Sequence, residues 1–195
     1  MKNLLKKSLL TTASLLVVGA SANFAQAQTA NVTATAIVSN QLTIAVAQQM
    51  NFGDVVAVGV TGNTASVTLA TDGTLTHSTT GGAAITATVD DTAAANAQVT
   101  IADGADTATI NVTIQNVTNP TDGTDTFTLE NFVTSFNGGG DNARVVATPF
   151  TVVFDASFGG GTNTLDIGAD ITTIDPSTAY GDGTYNGGFD VVFSY

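Results

Sequence analysis

The sequence predicts an all-β protein built as an antiparallel β-sandwich, and three observations carry that prediction. About a fifth of the residues after position 27 are Thr, accompanied by abundant Val, Ile and Phe, and β-branched side chains suit a pleated, half-buried surface. Apolar and polar residues alternate with a period of two in run after run, and no long stripe of period 3.6 is present. Between the runs stand Gly-, Asp- and Asn-rich clusters of the kind that close tight hairpins. About ten short strands at this spacing read as one sandwich. No fixed repeat period points to a solenoid or propeller.

In chain order, the first element is a leader. Lys2, Lys6 and Lys7 precede the short apolar run Ser8–Ala20, and Ala25-Gln26-Ala27 places small residues where a signal peptidase reads them. Residues 1–27 are therefore expected to be a signal peptide, cleaved before Gln28. The apolar run is too short to span a bilayer, which takes about 20 residues. Export to the periplasm and onward to the cell surface is the expected location. Three of the four basic residues leave with the leader, taking the formal net charge from −12 to −15 and leaving Arg144 as the lone cation. A chain this acidic repels phosphate backbones, so nucleic acid is excluded as a partner. It contains no cysteine, so no disulfide stands in for a core.

Residues 28–41 form an N-terminal extension, and residues 42–195 a single sandwich domain. In the extension Ala30, Val32, Ala34, Ala36 and Val38 alternate with Asn31, Thr33 and Thr35. A second run follows with Leu42, Ile44 and Val46 on one face. Further strands are expected over Ala65–Ala70, Ala83–Val89, Thr107–Ile114 and Thr124–Phe132. Turns are expected at Thr71-Asp72-Gly73, Asp103-Gly104, Asp122-Gly123, Gly138-Gly139-Gly140, Gly159-Gly160-Gly161 and Asp182-Gly183. Ala93-Ala94-Ala95 reads as a loop or strand edge, with a single helical turn as the alternative. The last run places Phe189, Val191, Phe193 and Tyr195 on one face, with Asp190 and Ser194 opposite.

The segment TATAIVSNQLTIAVAQQMNFGDV near the start and the closing GTYNGGFDVVFSY resemble the DUF4402 family, which is similar in turn to the spore-coat-U-like subunits of archaic chaperone–usher pili. The two ends carry that resemblance, and the middle matches by composition. It implies an incomplete immunoglobulin-like sandwich that lacks its final strand and is completed by one donated from a neighbouring copy. It also implies a periplasmic chaperone and an outer-membrane usher as partners. By the same resemblance Val32, Ala34, Ala36 and Val38 match the donor positions, and Phe189, Val191, Phe193 and Tyr195 the strand that a chaperone recognises. Spore-coat-U-like subunits usually carry a cysteine just after the donor segment, near Asn40 and Gln41, and this chain departs from them there. The physics of the exchange is simple, since an open sheet edge exposes unpaired backbone groups and an added strand satisfies them. The expected function is thus a structural subunit of a pilus or surface fibre. The alternative is a monomeric adhesive or ligand-binding module with a self-complete sandwich.

Catalysis has little material. His77 is the lone histidine and Glu130 the lone glutamate, and neither sits in a pattern that supplies a base beside a nucleophile or a pair of spaced carboxylates. No enzyme activity and no cofactor are expected. Calcium is the best chemical alternative, because Asp103 with Asp106, Asp122 with Asp125, and Asp90 with Asp91 put hard oxygen ligands close together in loops. No complete EF-hand loop is present, and Asp-Gly is also ordinary turn chemistry. Arg144 is expected to pair with a nearby carboxylate.

Overall fold

Residues 41–87, 93–174 and 179–195 are described by the structure, a computed structural model. Among these described residues every regular element longer than one helical turn is a strand, as the Thr- and Val-rich alternation requires. In chain order they are β1 (Thr43–Gln48), β2 (Val55–Val58), β3 (Ser66–Leu69), β4 (Leu75–Ser78), β5 (Ala84–Ala87) and β6 (Ala97–Ala102). There follow β7 (Thr109–Thr121), β8 (Phe127–Phe136), β9 (Asn142–Ala143), β10 (Phe150–Val153), β11 (Thr162–Thr173) and β12 (Asn186–Ser194).

All pairings between strands are antiparallel. β11 organises the larger sheet: β8 runs along one of its sides, while β6 and then β3 share the other, end to end. β1 flanks β6, β4 flanks β3 and β9 flanks β8. The smaller sheet has the order β10-β7-β12, and β2 pairs with β5 in a separate ribbon. Inward residues of all three sheets join one core. Ile110, Val112 and Ile114 of β7 meet Val99 and Ile101 of β6, Leu165 and Ile167 of β11, and Ile85 of β5, all at most 5% exposed. Each such side chain contributes about 1.5–3 kcal/mol by leaving water. The architecture is therefore the all-β antiparallel sandwich that the alternation predicts.

Turn chemistry explains where the strands reverse. Between β7 and β8 the Asp122 carboxylate accepts the Thr124 and Asp125 N–H groups, both at 2.8 Å, and Gly123 follows at φ +96°, which a side chain would strain. Between β3 and β4 Asp72 accepts the Thr74 N–H at 2.9 Å. Ahead of β11 Asp155 accepts both the N–H and the hydroxyl of Ser157. Ala95 forms a single bridge to Asn51, while Ala93 stands in a 3-10 turn.

These hydrogen bonds set a pH dependence. The Thr74 amide holds the Asp72 carboxyl below the usual 3.8; the Asp125 and Thr124 amides do the same for Asp122, and the Ser157 hydroxyl and amide for Asp155. A carboxyl held low when folded stabilises fully above its unfolded value and loses that contribution as pH falls through the folded one. The urea midpoint is therefore expected to fall below about pH 4. At the other limit, burial, with Asp122 and Asp125 adding repulsion, pushes the Tyr185 phenol from 10.0 up to about 12. Its contribution is complete below 10.0 and is lost as pH rises toward the folded value. Ultraviolet titration is expected to show one tyrosine ionising near 12, together with unfolding.

Tyr185 belongs to an aromatic cluster that clips the chain ahead of β12 to the start of β8. The Phe127 ring stacks on Tyr180 at 4.4 Å and meets Tyr185 edge-on at 5.0 Å. The Tyr180 hydroxyl accepts the Ile174 N–H at 2.8 Å and is within bonding distance of the Thr126 and Ile174 carbonyls. Tyr180→Phe leaves that amide and those carbonyls without this partner, so a loss of about 1–3 kcal/mol is expected in urea unfolding, with the fold retained.

Candidate functional site

The two long seams of the sandwich differ. One is bridged by the segment from β9 to β10, which crosses from the larger sheet to the smaller. The Arg144 N–H donates to the Phe132 carbonyl of β8 at 2.7 Å, and the Ala147 N–H to the Ile114 carbonyl of β7, also at 2.7 Å. The Arg144 guanidinium lies 3.8 Å over the Phe150 ring, and its Nε donates to the Thr134 hydroxyl at 2.7 Å. Among the described residues Arg144 is thus held by a ring and a hydroxyl, where the sequence suggested a carboxylate. It straps one seam shut.

The other seam lies between β1 and β12. β1 pairs with β6 alone and β12 with β7 alone, so among the described strands each has a free edge facing this seam. A groove of about 440 Å³ runs between them. Its β1 wall presents Ile44 and Val46, which are 40% and 59% exposed although they lie on a regular strand. Val99 and Ile167 form the floor and belong to the core. The β12 wall presents Phe189, Val191 and Phe193, which pack against the core yet are only half buried. The Phe189 ring meets Phe132 edge-on at 5.0 Å. The sandwich therefore opens along one side as a trough bounded by two strand edges, with Val99 and Ile167 still buried beneath it.

The domain of unknown function DUF4402 has a family model that matches residues 42–195. The chain belongs to the DUF4402 family. No curated protein and no solved structure matches it. The matched span begins one residue before β1 and ends with the last residue after β12, so both walls of the groove lie inside the DUF4402 domain.

The C-terminal residues singled out in the sequence thus come together as one wall, with a correction at its end. Asp190 and Ser194 are exposed; Asp190 accepts the Asn116 amide at 2.8 Å and also borders the groove. Tyr195, however, lies past Ser194, the last paired residue of β12, and is 53% exposed. It does not join the packed face of Phe189, Val191 and Phe193, because the ladder that would hold it there has ended. Val32, Ala34, Ala36 and Val38, residues 1–27 and the Asp90–Asp91 pair lie outside the described residues.

The carboxylates suggested for calcium in this DUF4402 domain, where described, accept hydrogen bonds from the protein. Asp103 accepts the Thr43 hydroxyl at 2.6 Å, and Asp106 the Ala156 N–H at 3.1 Å. Asp122 caps its own turn, and Asp125 accepts the Gly181 N–H at 3.0 Å. Among the described residues no three His, Asp or Glu side chains are placed to hold a metal ion. His77 is exposed on β4 opposite Val67, and Glu130 stands opposite Asp170 across β8 and β11. Sequence reasoning missed the floor of the groove and the unshielded state of β1. No local signal could have shown either, because the trough is assembled from β1, β6, β11 and β12, which are far apart in the chain. Among the described residues no helix is long and apolar enough to cross a membrane.

Proposed function

We propose that this protein is an exported structural subunit of a surface fibre, assembled by donor-strand exchange between copies. The observation that supports it best is the open β1–β12 seam, a trough with apolar side chains on both walls and a free strand edge on each side. Such a trough is a poor resting state in water, because it leaves Ile44 and Val46 exposed beside unpaired backbone groups. A strand laid into it satisfies both needs at once. Residues 29–38 supply a segment of the right character: Val32, Ala34, Ala36 and Val38 alternate with polar residues, so one face can enter the trough while the other stays wet. The resemblance of DUF4402 to spore-coat-U-like subunits of chaperone–usher pili, which assemble in this way, supports the same reading. The proposal therefore includes a leader over residues 1–27, a periplasmic chaperone that shields the trough, an outer-membrane usher, and no enzymatic role.

Appendages sheared from the native cells test the reading on a denaturing gel, run with and without boiling. A ladder that collapses on boiling to one band beginning at Gln28 is expected. A single monomer band in both lanes would overturn it and leave a self-complete adhesive or ligand-binding module.

A further inference from the structure

The sequence contains two Asn-Gly-Gly triplets, Asn137-Gly138-Gly139 and Asn186-Gly187-Gly188. Asn-Gly is the dipeptide most prone to spontaneous deamidation, because a glycine leaves its own amide nitrogen open to the asparagine side chain. The fold treats the two triplets in opposite ways. The Asn137 amide is tied at both ends: its nitrogen donates to Asn163 Oδ1 at 2.7 Å, and its oxygen accepts the Thr164 N–H at 2.9 Å. Its backbone N–H also donates to the Thr164 carbonyl at 2.9 Å. Asn186 is exposed, and its amide nitrogen reaches the Thr184 carbonyl only at 3.5 Å. Gly187 falls in a register shift of β12, where the ladder steps from Asn186–Thr121 to Gly188–Thr118 and leaves Gly187 without a partner position.

Packing also fixes the glycine. A Cβ at Gly187 would lie 2.6 Å from both the Pro120 nitrogen and the Thr118 carbonyl oxygen, so only glycine lets β12 lie this close to β7. The reactive dipeptide is therefore imposed by the close approach of two backbones and cannot be relieved by a larger residue after Asn186.

We infer that Asn186 is a spontaneous modification site that ages the groove. The Gly187 amide nitrogen attacks Asn186 Cγ, its proton leaves with the side-chain nitrogen as ammonia, and a five-membered succinimide closes. Water then opens the ring at one carbonyl or the other, giving aspartate or isoaspartate. No enzyme or cofactor is needed. Gly187, Gly188 and Phe189 line the groove, so the new carboxylate stands at its end. The isoaspartyl form also adds one backbone carbon at the point where β12 is held tightest to β7. Both products disfavour entry of an apolar strand, the first by charge and the second by displacing the Phe189–Val191 wall. This consequence rests on the strand-accepting reading of the groove, whereas the modification itself does not.

The test is to hold the purified full chain in mildly alkaline buffer for weeks and map it by mass spectrometry with an isoaspartate-specific methyltransferase label. The Asn186 peptide is expected to gain one mass unit and the label, while the Asn137 peptide stays unchanged. In denaturant both are expected to react alike. An intact Asn186, or equal reaction of the two sites in the folded chain, overturns the inference. A synthetic peptide of residues 29–38 then reads the groove. Binding is expected to fall on ageing in the natural chain and to persist in Asn186→Gln. Undiminished binding after full conversion overturns the ageing effect, whereas absence of binding to fresh chain counts against strand acceptance and leaves the mass result standing.

Discussion

Replacing Val32 and Val38 by Asp is expected to abolish the boiling-sensitive ladder while the chain is still exported and processed. Each valine that enters the trough contributes about 1.5–3 kcal/mol of burial. The double change therefore weakens the joint by about 10²- to 10⁴-fold before the cost of burying two carboxylates is added. The reciprocal change on the acceptor side is Val46→Asp. Val46 is 59% exposed in the free domain, so an aspartate there costs the monomer little, yet it places a charge on the groove wall. The expected result is a stable monomer, unchanged in urea midpoint, that cannot accept a strand. Mixing separates the roles: the Val32→Asp/Val38→Asp chain should accept a strand from the natural chain and then terminate growth. Normal fibres from either variant would sink the donor assignment or the groove assignment, respectively.

Asymmetry between the seams also explains why the fold is stable with one side open. Arg144 and Ala147 tie the two sheets together across the closed seam, and the core keeps Phe127, Phe132 and Phe154 each at most 2% exposed. Only the last layer, at the free edges, is left incomplete. A domain that keeps most of its core in this way can wait for a partner without unfolding. It remains prone to edge-to-edge association, the hazard that a shielding partner would manage.

Much of this was legible in the sequence. The alternation of β7, β8 and β12 is written in Ile110-Val112-Ile114, Phe127-Leu129 and Phe189-Val191-Phe193, because a strand buried on one face needs period two. The turns were legible because Asp and Gly there meet backbone demands that few residues satisfy. The two-sided use of β11 was not, since pairing partners are chosen by packing between distant segments. Nor was the exposure of β1: Leu42, Ile44 and Val46 alternate as they would in a shielded strand, and only the absence of a neighbour, a property of the whole sheet, leaves them open. Arg144 misled for a similar reason, because its partner Thr134 and the Phe150 ring are brought to it by the crossing of the closed seam.

Gly168 is the residue whose importance the sequence hides most completely, and Gly168→Ala is expected to be among the most destabilising single changes in the domain. It sits inside β11 between the Ile167 and Ala169 core positions, where a glycine reads as a weak point of the strand. Its conformation is not the constraint. A Cβ there would lie 2.2 Å from the Leu69 carbonyl oxygen, 2.9 Å from the Ala70 carbonyl carbon and 3.0 Å from Val133 Cγ2. Two of those atoms are backbone, so no rotamer change relieves the contact. β3 must move off β11, and with it the Ala169–Leu69 pairing, or the register of β8 must slip at its existing irregularity between Gly168 and Asp170. Overpacking of a core by one methyl costs about 1–3 kcal/mol when side chains can yield, and more when the backbone must. A loss of about 3 kcal/mol or more is thus expected in urea unfolding. Gly140→Ala is the control, because nothing lies within 4 Å of the added methyl group and that position is expected to be neutral. Equal behaviour of the two variants would mean that β3 and β11 approach less closely than described, and would remove the reason why β6 and β3 share one side of the same strand.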